Sequence, residues 1–182
     1  MTRLFFAIDL PERLKAPIAP VVSSLSDLGR HVRPVGEGSL HATLLFLGEQ
    51  PQSILPDLAE TAKGAVAGAR PCRLEIGPVG FFPRVSFLTL VGEIETLTVI
   101  ASVLSDACAN YLENPETRPF KAHVTLSRHK ERISPGEKER IASLLSSFEG
   151  LSLTVDELIL FESELTRSGA IYTPVGRFRF GG

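Results

Sequence analysis

Two short stretches constrain this chain more than anything else in it. LHATLLFLG at 40–48 and AHVTLSRH at 122–129 each set a histidine and a threonine two residues apart in an otherwise apolar run. In an extended chain, residues i and i+2 face the same way. His41 and Thr43 therefore share one face of a strand, with Ala42, Leu44 and Phe46 on the other. His123 and Thr125 share a face in the same manner, with Ala122, Val124 and Leu126 opposite. The two triplets are 82 residues apart, and the same offset lays Phe5 on Phe87, Ile8 on Leu90, Ile18 on Ile100, Ala19 on Ala101 and Val21 on Val103. One shift that superimposes a strand, a helix and a histidine strand predicts a two-fold internal repeat, roughly 3–80 and 85–162. Two copies at so long a period do not make a solenoid.

Each half reads as strand, helix, strand, helix, strand. Strands are expected at 3–10, 40–47, 72–77, 85–91, 120–127, 151–161 and 170–180. Helices are expected over 12–29, 55–68, 94–112 and 135–148. Pro17 and Pro20 sit inside the first helical stripe and should shorten it, moving its start toward residue 17. Residues 31–39, with Pro34, Gly36 and Gly38, read as a loop, as does the stretch marked by Asn114, Pro115 and Pro119. The fold expected is α+β: one two-lobed domain over 1–182 with pseudo-two-fold symmetry. Each lobe is an antiparallel sheet with helices on its outer face, and the two polar faces meet across a central cleft.

Two imidazoles and two hydroxyls around one small space suit phosphodiester chemistry. Histidine titrates near neutral pH, so one ring can be neutral while the other is protonated. The neutral ring takes a proton from the attacking group, and the charged ring gives one to the leaving oxygen. Threonine hydroxyls can donate to nonbridging phosphate oxygens, where charge grows. His31 and His129 have no counterpart at a matching repeat position and are expected to be solvated; no third ligand marks a two-histidine metal site. Glu49 lies beyond Gly48, too far along the chain to complete one with His41. No metal and no cofactor are expected.

Composition narrows the partners. With 19 Lys and Arg against 21 Asp and Glu, the net charge is −2, which argues against wrapping a duplex and leaves room for a local site that holds one phosphate. Cys72 and Cys108 form no metal-binding spacing and read as reduced, buried thiols rather than a disulfide. The opening MTRLFFAIDLPERLK is too short in apolar residues for a signal peptide. No stretch approaches the ~18 apolar residues of a membrane span. A cytoplasmic monomer without membrane association is expected.

The chain resembles the two-histidine (2H) phosphoesterase superfamily, and within it the bacterial and archaeal RNA 2′,3′-cyclic phosphodiesterases, historically called 2′–5′ RNA ligases. The resemblance rests on RLFFAIDLP, LHATLLFLGE, FFPRVSFLTL, RPFKAHVTLSRH and VDELILFESELTRSGAIYTPVGRF. It implies that His41 and His123 are the catalytic pair and that Thr43, Thr125 and Arg128 hold the phosphate. It also implies a cofactor-free hydrolysis of 2′,3′-cyclic phosphate ends of RNA or oligonucleotides to 2′-phosphates, with a possible 2′–5′ ligation by the same site. Strict alternation puts Arg128 on the face opposite His123, so a bulge or strand end near Ser127 has to redirect it. The chain departs from the family in two places. RHVRP carries His31 where an Arg-Trp pair is common, and Phe87 stands where Trp is common. Two other functions share these residues: a non-catalytic binder of RNA ends, and a cyclic phosphodiesterase acting on a small nucleotide-derived metabolite.

Overall fold

The computed structural model describes residues 1–112, 118–166 and 169–181. Among these residues the chain runs β1 (Thr2–Asp9), α1 (Glu12–Ser24), β2 (Val32–Pro34), β3 (His41–Gln50), α2 (Leu55–Val66), β4 (Cys72–Phe82), β5 (Val85–Gly92), α3 (Glu95–Ala107), β6 (His123–His129), α4 (Pro135–Leu145), β7 (Ser152–Val155), β8 (Glu157–Thr166) and β9 (Gly169–Arg179). The loop expected at Asn114 and Pro115 lies outside the described residues; Pro119 is irregular. No helix of the described residues is long and apolar enough to cross a membrane.

The strands form two antiparallel sheets, in the order β3-β1-β8-β9 and β2-β6-β5-β4-β7. Helices α2 and α3 pack on the first sheet, and α1 and α4 on the second. The sequence halves are not the lobes, because each half lends its last long strand to the other sheet. β4 turns through Pro83 and Arg84 into β5, with Phe82 opposite Val85, and so joins the second sheet. β8 returns to lie beside β1 in the first. The two histidine strands, β3 and β6, lie against each other where the sheets meet.

Burial explains the apolar runs. Leu4, Phe6 and Ile8 of β1, with Leu158 and Leu160 of β8, enter the main core beneath the helices. Their alternates, Phe5, Ala7, Ile159 and Phe161, form a second small cluster on the opposite face. A central strand buried on both faces reads as a continuous apolar run, which is why RLFFAID shows no polar alternation.

Four local expectations are revised. α1 begins at Glu12 directly after Pro11, and both prolines lie inside it. Pro17 and Pro20 are exposed, as are Arg13 and Ala16, whose carbonyls lose their helical partners to the prolines. Their exposure leaves those carbonyls open to solvent, which can satisfy them, while Leu14, Ile18, Val22 and Leu25 are buried. Each such side chain is worth ~1.5–3 kcal/mol, enough to offset the ~3 kcal/mol cost of a helix proline. The expected strand over 151–161 is two strands broken at Asp156: β7 pairs with β4 in the second sheet, and β8 with β1 in the first. The 31–39 segment contains β2, an edge strand that pairs with β6 and ends on Pro34, a residue suited to an edge. Finally, Phe87 lies opposite Thr125, whereas Ala7 lies opposite Thr43. The gapless offset of 82 residues therefore suits β3 on β6 but sets β1 on β5 two residues out of step.

Candidate active site

β3 and β6 are both bulged, and the bulges decide what faces the cleft. On β3, Phe6 pairs with Leu45 and Ala7 with Thr43, which leaves Leu44 as an extra residue. On β6, Ser86 pairs with Ser127 and Phe87 with Thr125, which leaves Leu126 extra. A bulge inverts the alternation beyond it. His41 and Thr43 face the cleft before the β3 bulge and Phe46 faces it afterwards. His123 and Thr125 face it before the β6 bulge and Arg128 afterwards. All six line one cleft of about 400 Å³, together with Arg3, Phe5 and Tyr172. The five residues picked out from sequence are thus brought together. Arg128 reaches the cleft through the bulge expected near Ser127. Phe46 is the residue alternation placed on the wrong face, and it is more than half exposed.

His41 sits on an aromatic floor. Its ring lies 4.9 Å from Phe5 and 5.8 Å from Phe161, each close to parallel, and edge-on to Tyr172 at 5.0 Å. The floor is the small apolar cluster of β1 and β8, an element of the site that sequence reading missed; its signal was the apolar doublet Phe5–Phe6, one residue for each face. His41 Nδ1 is buried without a hydrogen-bond partner among the described residues. Burial, aided by the positive charge of Lys15, lowers the His41 pKa to about 4. Lys15 comes from the first turns of α1 and is itself neutralised in part by Asp9, 2.7 Å away and directly opposite His41 in the ladder.

His123 has different company. Its Nδ1 lies 2.7 Å from the carbonyl oxygen of Lys121. A carbonyl can only accept, so Nδ1 carries the proton and, in the neutral ring, Nε2 keeps a free lone pair. Phe82 and Phe87 meet this ring edge-on at 5.6 and 5.0 Å. The ammonium of Lys121 rests over Phe87, 4.8 Å from its centroid.

The other two histidines are not solvated as expected. The bulge that turns Arg128 toward the cleft turns Ser127 and His129 inward, and His129 is only 6% exposed, with Nε2 2.9 Å from Ser127 Oγ. His31 Nε2 lies 2.6 Å from Glu137 Oε1 at the start of α4. Glu137 closes a capping box with Ser134, and the Ser134 hydroxyl, then His31, hold its carboxyl down at about 2. Cys72 and Cys108 are free and buried, and burial raises both thiols, Cys108 to about 11.

Chemically, the cleft offers two imidazoles, two guanidinium groups and the hydroxyls of Thr43, Thr125, Ser39, Ser163 and Tyr172. No carboxylate is found among its lining residues, within the described part of the chain. This set suits an anion better than a divalent cation, and proton transfer better than metal-assisted attack.

The 2′-5′ RNA ligase superfamily matches residues 8–167. A protein named RNA 2′,3′-cyclic phosphodiesterase from Thermus thermophilus is 31% identical, covering 99% of this chain and 91% of its own. Its namesake from Methanothermobacter thermautotrophicus is 28% identical, covering 97% and 98%. Among solved structures, TT0787 of Thermus thermophilus superposes with a TM-score of 0.79 at 29% identity, covering 99% of this chain and 98% of that one. E. coli LigT complexed with 3′-AMP superposes with a TM-score of 0.73 at 26% identity, covering 100% and 98%.

Proposed function

The chain belongs to the 2′-5′ RNA ligase superfamily, and from that premise we propose that it hydrolyses 2′,3′-cyclic phosphate ends of RNA or oligonucleotides to 2′-phosphates without a metal ion. The observation that carries this reading is the convergence of His41, Thr43, His123, Thr125 and Arg128 on one cleft. The name shared by its relatives and the 3′-AMP bound to a structural neighbour support the substrate class.

His123 is the base. Its Nδ1–H is tied to the Lys121 carbonyl, so Nε2 is the nitrogen free to take a proton from water. The water oxygen attacks phosphorus in line with the 3′-oxygen. The bond from phosphorus to that oxygen breaks, and His41 supplies the proton that makes it a hydroxyl. The phosphate stays on the 2′-oxygen. Thr43, Thr125 and Arg128 hold the nonbridging oxygens, where hydrogen bonds to charge are worth more than to neutral groups. The low pKa of His41 keeps it neutral in the empty cleft, and the anionic phosphate raises it when substrate binds. A 5′-hydroxyl in place of water leaves a 2′–5′ phosphodiester by the same steps. The reading includes action as a cytoplasmic monomer, a setting that suits two unpaired buried thiols.

The direct test is a nucleoside 2′,3′-cyclic phosphate and an oligonucleotide ending in one, with the product position resolved. A 2′-phosphate formed in excess EDTA is the expected result. A 3′-phosphate overturns the bond assignment. Loss of turnover to EDTA, restored by a divalent ion, overturns metal independence, and tight binding without turnover marks a non-catalytic binder.

A further inference from the structure

On the side of β6 away from Thr125, three side chains from three elements converge. His31 precedes β2, His129 ends β6, and Glu137 lies in the first turn of α4. One donor atom from each lies within 4.8 Å of the other two. The geometry points to a zinc site here, separate from the catalytic cleft, that staples β2 and α4 to β6.

The surroundings of each donor resemble a prepared ligand more than an ordinary ion pair. Glu137 has its Oε2 held by Ser134, through the backbone N–H at 2.8 Å and the hydroxyl at 2.6 Å, and directs Oε1 at His31 Nε2. His129 Nε2 is engaged by Ser127 Oγ at 2.9 Å, and Ser127 Oγ is itself 2.6 Å from Ser86 Oγ. With Nε2–H donating to Ser127 Oγ, Nδ1 carries the lone pair, and Nδ1 is buried with no hydrogen-bond partner among the described residues. Metal-bound histidine is commonly oriented in this way, through a hydrogen bond from its other nitrogen. His31 is oriented by Gly29. A Cβ at that position, where φ is +139°, would come within 2.8 Å of the imidazole ring.

Two imidazoles and one carboxylate are a zinc donor set, whereas magnesium and calcium take oxygen ligands. Bonds of about 2.0–2.1 Å at tetrahedral angles place ligand atoms roughly 3.4 Å apart. The His31–Glu137 pair at 2.6 Å opens slightly on loading, and separations of up to 4.8 Å close. Water completes the fourth position on the His31 side, where that side chain is one-third exposed. The consequence for the cleft is indirect. Arg128 lies between Ser127 and His129 and pairs in the ladder with Arg33 of β2, so the staple fixes the segment that presents its guanidinium. Arg128 remains the residue that meets the phosphate, and the ion takes no part in the reaction.

Full-length protein stripped with a chelator and titrated with Zn²⁺ by calorimetry should bind one ion per chain, and Mg²⁺ should not compete. Zinc should raise the Tm of the wild type, and Co²⁺ in its place should give the visible absorption of a four-coordinate site. His31→Ala alters a partly exposed side chain, and Glu137→Gln preserves the capping box. Each should abolish the zinc-dependent rise in Tm while leaving cyclic phosphate hydrolysis at the rate of the zinc-free wild type. Ser127→Ala should weaken zinc by about 10–100-fold. The assignment fails if the stripped protein takes up no zinc at micromolar concentration. It fails equally if His31→Ala and Glu137→Gln bind zinc as the wild type does, or if uptake disappears in His41→Ala instead.

Discussion

His41 and His123 occupy matching places on β3 and β6, each two residues before a threonine and three before a bulged leucine. Their rings nevertheless meet different surroundings. His41 lies on the face of Phe5, with one nitrogen sealed and unpartnered and its pKa near 4. His123 is anchored through Nδ1 to a main-chain carbonyl and touches aromatic edges. Aromatic stacking and burial oppose the charged form of His41 until an anion arrives. The carbonyl anchor of His123 leaves one defined nitrogen for proton abstraction. A repeated motif thus yields two unlike histidine environments, an asymmetry that suits the proposed division into acid and base.

The largest effects should come from deleting either ring. His41→Ala and His123→Ala should each lower kcat/KM by about 10²–10⁴-fold with the fold intact, and a loss under tenfold removes that histidine from the proton path. A cyclic phosphate with a very good leaving group separates the roles, because departure then needs no acid. It should restore turnover to His41→Ala and leave His123→Ala slow. The opposite rescue reverses the order of the pair.

The low pKa of His41 should also appear in stability. In the unfolded chain His41 titrates near 6.5, and in the folded protein at about 4. Between these values the unfolded chain binds the extra proton, so stability rises with pH across that window. The contribution is complete above about pH 6.5 and is lost as pH falls through 4. A difference of that size is worth ~3 kcal/mol at most. Glu137, held at about 2, loses its contribution in a lower window, below the ordinary carboxylate pKa. Urea melts between pH 4.5 and 7 should show the slope in the wild type and a flatter one in His41→Gln. Equal slopes in the two proteins would place the His41 ring in water.

These contrasts show where sequence was sufficient. His-x-Thr on a strand is a statement about i and i+2, and local alternation carries it without tertiary information. The bulges at Leu44 and Leu126 were invisible, because each is an apolar residue among apolar residues and only the partner strand reveals the extra one. Two errors share that cause: Phe46 assigned to the core face and His129 assigned to solvent, although Arg128 was correctly seen to require a bulge. His31 was misread for another reason, since its partner Glu137 lies 106 residues away in α4. The exchange of β4 and β8 between sheets was hidden for a related reason. Pairing partners far apart in sequence leave no mark on periodicity. The prolines of α1 misled through an intrinsic preference that burial of Leu14, Ile18 and Val22 overrides.

Smaller effects should follow from the second pair of matching positions, Phe46 and Arg128, each the cleft-facing residue beyond its bulge. Arg128→Ala removes a charged donor from the phosphate, a loss of about 1.5–3 kcal/mol, or roughly 10–100-fold in kcat/KM. Thr43→Ala and Thr125→Ala should lie at the lower end of the same range. Phe46 brings no charge, and the residue is 55% exposed at the cleft wall. It can offer a flat apolar surface to the part of the substrate beyond the phosphate, where base–aromatic stacking is worth ~1–3 kcal/mol. A half-exposed ring should sit at or below the low end of that figure. Phe46→Ala should therefore raise KM several-fold for an oligonucleotide, change kcat little, and leave a cyclic phosphate without a base unaffected. If Phe46→Ala instead lowers kcat on every substrate, the two bulges present equivalent phosphate-binding positions, and the division into a charged wall and a stacking wall is wrong.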